Sequence, residues 1–159
     1  MKEMTISKKT EVIVPLIFKT YISVIESSID SILFRHFYAK IKGKTKDIMQ
    51  NGELSCAFYV SSILNMFKLI KQGHTTVDST VKDLLESDWK KTKKPRKGSI
   101  LVWEAIDFGK NDFHKHIGFY LGNNIAISND SKYGCPMKHH WNFHGKRKVE
   151  SIFWNSKLK

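Results

Sequence analysis

Apolar residues recur at helical intervals near the start of the chain. Leu16, Ile17, Tyr21, Val24, Ile25, Ile29, Ile32 and Leu33 draw one buried stripe along residues 14–34, with Pro15 placed in the first turn. Phe37 to Lys44 alternates weakly around Gly43 and predicts a short hairpin or extended arm. From Ser55 to Ile70 the apolar residues occupy more than one face, as in a helix inside a core, with Ser55 as N-cap and Gly73 as the stop. Val77, Val81, Leu84 and Leu85 then form the apolar side of an amphipathic helix opened by Thr75 or Thr76 and reaching about Ser87.

Beyond Gly98 the period shortens to two. Ser99–Trp103, His116–Leu121 and Ile125–Ser128 read as strands, Gly122-Asn123-Asn124 as the turn between the last two, and Val149 to Trp154 as a closing strand. Helices first and an antiparallel meander second predict the α+β fold class. With 159 residues the chain fits a single domain, 1–159, in which 1–49 supply an N-terminal helix and arm and 50–159 the core. Hydrophobic residues make up 41%, enough to build that core and to exclude a disordered chain. No apolar stretch approaches the roughly 20 residues of a membrane-spanning helix. The basic start is followed only by the short run Val12–Phe18, with no small-residue cleavage site, so no signal peptide is expected and a soluble, cytoplasmic protein is.

Charge adds a question about partners. The formal net charge of +12 attracts the chain to anionic surfaces, and the basic residues are densest from Lys90 to Lys97. Either a solvated loop or a surface for an anionic polymer or nucleic acid accounts for that run, and no zinc-finger, helix-turn-helix or RNP-like motif accompanies it.

Two cysteines, Cys56 and Cys135, are too few for a disulfide scaffold, and neither belongs to a CxxC pair. Cys56 follows the Ser55 cap, where the positive end of a helix dipole lowers a thiol's pKa, so it is expected to be thiolate-rich and nucleophilic. Cys135, in Tyr133-Gly134-Cys135-Pro136, sits in a turn-like context and reads as incidental. His116 heads an apolar strand and shares its face with Gly118 and Tyr120.

Three segments occur together: Leu54-Ser55-Cys56-Ala57-Phe58-Tyr59-Val60, Lys94-Pro95-Arg96-Lys97-Gly98-Ser99-Ile100-Leu101-Val102-Trp103, and His116-Ile117-Gly118-Phe119-Tyr120-Leu121-Gly122-Asn123. In this order they resemble the nucleophile helix, the Pro-x-x-Gly-Asp-Leu-Val strand entry and the His-Val-Gly-Ile-Tyr-Leu-Gly signature of the NlpC-type papain-like cysteine peptidases and amidases. The resemblance covers about residues 50–130. It departs from the family before Cys56, where aspartate is usual, and after it, where Ser-Gly-Phe-Val is.

The resemblance implies a papain-like core and hydrolysis of an amide, a peptide or isopeptide bond that could lie in peptidoglycan stem peptides. It implies no metal and no cofactor. Cys56 would attack the carbonyl, His116 would act as general base, and the Cys56 backbone N–H would hold the oxyanion. Gln50, six residues before Cys56, stands where papain relatives carry an oxyanion glutamine, and Tyr38 could serve or simply pack. The family's polar third residue falls twelve positions after the base, on Ser128. Asn129, one residue later, is the better hydrogen-bond acceptor for an imidazole and is preferred on chemistry, although strand alternation turns it to the other face. His139 and His140 could close on the site from the next segment. The alternative is a noncatalytic module of the same fold that binds an anionic polymer or nucleic acid through its basic surface.

Overall fold

The computed structural model describes residues 12–109 and 111–159. The basic start of the chain lies outside them, and with it part of the region read for a signal peptide. Among the described residues no helix is long and apolar enough to cross a membrane.

The class is α+β. Three helices, α1 (Ile17–Ser27), α2 (Cys56–Met66) and α3 (Val77–Glu86), are joined by a hairpin of β1 (Tyr38–Ile41) and β2 (Lys44–Asp47) between the first two. A six-stranded antiparallel sheet follows: β3 (Lys90–Lys91), β4 (Ile100–Asp107), β5 (Phe113–Gly122), β6 (Ile125–Asp130), β7 (Cys135–His140) and β8 (Val149–Trp154). Its spatial order is β3-β8-β4-β5-β6-β7, so β8 closes against β4 and not against its chain neighbour β7.

Every predicted helix exists; the first two end earlier than their apolar pattern, and α3 ends where it is expected to. The first was expected over 14–34, but Ser28 turns its hydroxyl back onto the Ile25 carbonyl at 2.6 Å and the chain leaves the helix. Ile32 and Leu33 are therefore exposed, while Phe34 turns inward against Phe58 and Tyr59. In α2 the stop is not Gly73 but Lys68, at φ 53°, with Lys68 N–H donating to Asn65 O and Leu69 N–H to Leu64 O. That is a Schellman closure built on lysine, a residue that does not advertise a positive φ. The same device ends α3 at Asp88, where Trp89 N–H reaches Leu84 O. Thr76 caps α3 as expected, its Oγ1 accepting from Ser79 N–H. The hairpin of the arm is present as well, turning at Lys42 and Gly43, both at positive φ.

Alternation sorts the sheet's two faces. Ile100, Val102, Ile117, Phe119, Ile127 and Phe153 pack toward the helices around fully buried Tyr59, Ile63 and Leu64 of α2. Each such aliphatic or aromatic side chain contributes about 1.5–3 kcal/mol by leaving water. Leu101, Trp103, Ala126 and Ile152 form a smaller core on the other face. His116 is the fourth residue of β5, not its head, and belongs to this second face beside Trp103. The misplacement came from reading Phe113-His114-Lys115 as loop, because the strand continues beyond the core as an exposed ribbon.

The expected turn at Cys135 is the other correction. Pro136 cannot donate to a ladder, but β7 is the sheet's outer edge, where a missing N–H is tolerated, and Cys135 to His140 pair in register with β6. The basic run 90–97 lies at the opposite edge, around β3. Lys97 pairs with Glu26 at 3.0 Å, and Arg96 and Lys91 lie over the rings of Trp154 and Phe153. Lysines on an edge strand also discourage further strand pairing.

Candidate active site

A cleft of about 760 Å³ runs between the start of α2 and the strands β4 to β7, and Cys56, His116, Ser128, Asn129, His139 and Arg147 all line it. A β-bulge opens one wall: Trp103 faces His116 and Ile106 faces His114, so Glu104 and Ala105 together oppose Lys115. The extra residue bends the β4–β5 ribbon away beside His116. Past the bulge, Ile106, Phe108 and Phe113 form a partly exposed apolar lip on the cleft.

Cys56 opens α2. Ser55 occupies the N-cap position, yet its ψ of 1° is not the extended value a cap needs, and its buried Oγ has no partner. No acidic side chain lies in the first turn, and among the described residues the N–H groups of Cys56, Ala57 and Phe58 have no backbone acceptor, those of Cys56 and Ala57 being turned to the Cys56 sulfur. The positive end of the helix is thus left unneutralised at the thiol. Even so, the expectation of a thiolate-rich Cys56 is not met. Burial pushes the thiol up, against the opposing pull of the N–H groups of Ile117 and Ala57 and of the Arg147 guanidinium. In the resting protein Cys56 is a thiol, and no hydrogen bond joins it to His116.

The imidazole of His116 is fixed through three links. His139 Nδ1 lies 2.9 Å from the His140 carbonyl oxygen, which can only accept, so Nδ1 carries hydrogen. Burial lowers the pKa of His139, and the neutral ring therefore presents Nε2 as an acceptor. Ser128 donates its one hydroxyl hydrogen there at 2.7 Å, and its Oγ accepts from His116 Nε2 at 2.7 Å. His116 is itself pushed down to about 3, by burial first and by Arg147 and His139 next. A neutral His116 with hydrogen on Nε2 has its lone pair on Nδ1, so the relay fixes the tautomer that can take a proton there. Trp103 and Phe143 enclose both rings, Phe143 stacked on His139 at 4.1 Å.

The partner of the imidazole is therefore Ser128, the residue at twelve positions, and not Asn129. Register decides between them: Ser128 shares the face of His116, and Asn129 turns to the helix side. There its Nδ2 donates to Gly52 O at 2.7 Å, tying β6 to the loop that feeds α2, and its buried Oδ1 is unpaired. His139 reaches Ser128 from β7, while His140 stacks on His144 away from it. Gln50 is exposed on a turn at φ 52° and is not part of the cleft wall, and Tyr38 stacks on His36 out in the arm. Both cysteines are free, Cys135 buried and Cys56 half-buried.

Arg147 went unnoticed in the sequence. It is 9% exposed, its Nε donating to Glu104 O at 3.0 Å and its Nη2 to His114 O at 2.8 Å, one bond to each strand at the bulge. The run Gly145-Lys146-Arg147-Lys148 reads as solvated charge, and only the bulge draws one of its three cations inward. No family model matches the chain, and no curated protein matches it.

Proposed function

We propose that the protein is a cysteine-dependent hydrolase of amide bonds, of the NlpC-type papain-like kind that its motifs resemble. The observation that carries the proposal is the Ser128–His139 relay on His116: it engages Nε2 and leaves the lone pair on Nδ1 of a residue that lines a cleft also holding a thiol at an unneutralised helix start. Structural histidines have no need of a relay that fixes one free nitrogen.

In the first step the Cys56 S–H proton passes to His116 Nδ1 as Sγ bonds to the substrate carbonyl carbon. The developing oxyanion is met by the N–H groups that open α2, each such donor being worth about 3–4 kcal/mol in kcat where one has been removed. Ser128 and His139 hold the imidazolium through Nε2–H. Its Nδ1 proton then goes to the departing amine as the C–N bond breaks and a thioester remains. Water, deprotonated by His116, hydrolyses the thioester to a carboxylic acid and restores the thiol. Ile117 N–H, next in chain to His116, hydrogen-bonds the thiol and so ties the nucleophile to the strand that carries the base.

Peptidoglycan stem peptides are one amide substrate that the resemblance suggests. Incubating the protein with stem-type and ordinary peptides, with mass spectrometry of the intact chain, tests the reaction. Hydrolysis that vanishes in Cys56→Ala supports it. Absence of turnover and of any Cys56 adduct, together with salt-sensitive retention on DNA by both wild type and Cys56→Ala, would instead establish a noncatalytic module acting through its basic surface.

A further inference from the structure

Arg147 has five N–H donors and the fold uses two of them, on the carbonyls of Glu104 and His114. Among the described residues the other three have no acceptor, and no carboxylate pairs with the guanidinium. The one carboxylate whose charge acts on it, that of Glu104, makes no ion pair with it, so this nine-tenths buried cation is only partly compensated, a costly arrangement unless something supplies a contacting anion, and it lines the cleft that holds Cys56. We propose that Arg147 is a specificity residue whose free N–H groups bind a carboxylate of the substrate close to the scissile amide. The proposal rests on the hydrolase function for the word substrate, but the binding site stands on its own geometry.

The ligand is a single planar carboxylate, not a polyanion. Glu53, Asp78 and Asp130 also line the cleft, against Lys115, Lys138 and Arg147, so the wall carries no formal surplus of positive charge to hold a phosphate chain. Lys115 is already engaged with Asp78 at 3.4 Å. The guanidinium fork matches a carboxylate in shape, which a lysine would not. Two backbone carbonyls from opposite sides of the bulge fix its plane before any ligand arrives, which lowers the entropy lost on binding.

The test uses Cys56 as the reporter in full-length protein carrying Cys135→Ser. Iodoacetate and iodoacetamide differ by a carboxylate and see the same thiolate, so the ratio of their alkylation rates cancels thiol reactivity and leaves the effect of the charge. The ratio should favour iodoacetate in the Cys135→Ser protein and fall by about tenfold in Arg147→Gln, with Arg147→Lys between them. A merely structural Arg147 would change both rates together and leave the ratio alone, and that result overturns the proposal. Because Arg147→Gln could loosen the bulge, a second measurement needs no variant at that position: propionate should slow labelling by iodoacetamide, and propionamide should not. Equal protection by the two, or none, also overturns it. If the carboxylate preference holds while no amide is ever hydrolysed, the site stands and the hydrolase function falls. If amides are hydrolysed with no such preference, the reverse is true.

Discussion

Gly118 lies directly across from Ser128, and a Cβ there would come within 2.6 Å of the Ile127 carbonyl oxygen and 2.7 Å of Ser128 Cβ. The glycine two residues after His116 is thus what lets β6 approach closely enough for the hydroxyl to reach the imidazole. Gly118→Ala should push the strands apart and break the relay, lowering kcat more than thermal stability. A variant that loses stability but keeps full turnover would contradict this. Ser128→Ala removes the fixed tautomer directly and should lower kcat by about 10²-fold, the usual scale for a positioned proton-transfer group, with KM little changed. Asn129→Ala should instead cost about 1 kcal/mol of stability through its lost bond to Gly52, with the chemistry retained. Hydroxyl against amide looked, in the bare sequence, like a choice of chemistry. The pleat made it a choice of register, and the alternation that put Ser128 on the right face was already legible in the strand. His139 and His140 are both candidates in the sequence, but which of them reaches the site is not legible there, because a strand containing Pro136 reads as a turn until it is known to lie at the edge.

At the scale of elements, the two helix starts that flank the cleft behave differently. Thr76 makes its capping bond, so Thr76→Ala should cost about 1 kcal/mol in denaturant unfolding. Ser55 makes none and leaves a buried hydroxyl unpaired, so Ser55→Ala should be neutral or slightly stabilising; a loss comparable to that at Thr76 would show a capping bond after all. The chain pattern indicates both starts correctly, because both serine and threonine are good cap residues, but it does not distinguish a cap that bonds from one that leaves the helix dipole open at Cys56. The ends were harder to see. Lys68 and Asp88 take positive φ without being glycine, a strain that apolar periodicity does not encode and that at Lys68 it runs straight past. Lys68→Gly should therefore stabilise the protein by up to about 1 kcal/mol, measured by thermal or urea unfolding. The bulge after Trp103 and the seat it makes for Arg147 had no signal in the sequence either, since a single inserted residue does not disturb an alternation already ending.

For the whole molecule, the two half-buried histidines of the cleft set how stability depends on pH. His116 titrates near 3 in the fold and near 6.5 in the unfolded chain, and His139 is lowered as well. The unfolded chain therefore takes up protons that the folded one refuses. Stability should hold above about pH 6.5 and decline as the pH falls from there toward 3. Asp83 and Asp47 act in a lower window. Hydrogen bonds from His74 and from backbone N–H groups hold Asp83 below the usual carboxylate range, and Asn51 N–H and His36 do the same for Asp47. Their contribution is full above about pH 4 and disappears below it. Urea midpoints across pH 3–8 would reveal the two stages, and a curve flat from 6.5 to 4.5 would argue against neutral imidazoles in the cleft. The α+β layout, with helices preceding the antiparallel sheet, followed from the change of hydrophobic period; the strand order followed from contacts that no local pattern encodes.

The central claim is that Cys56 and His116 act as one unit through a thioester. It is tested most directly by rapid-quench mass spectrometry of the intact protein during turnover of an amide substrate, in wild type, Cys56→Ala, His116→Ala and the double variant. The account predicts an acyl adduct on Cys56 in wild type, none in either single variant, and single losses of turnover nearly as large as the double loss, because the proton acceptor and the nucleophile serve the same step. Turnover that persists in Cys56→Ala, or losses that add independently, would contradict it.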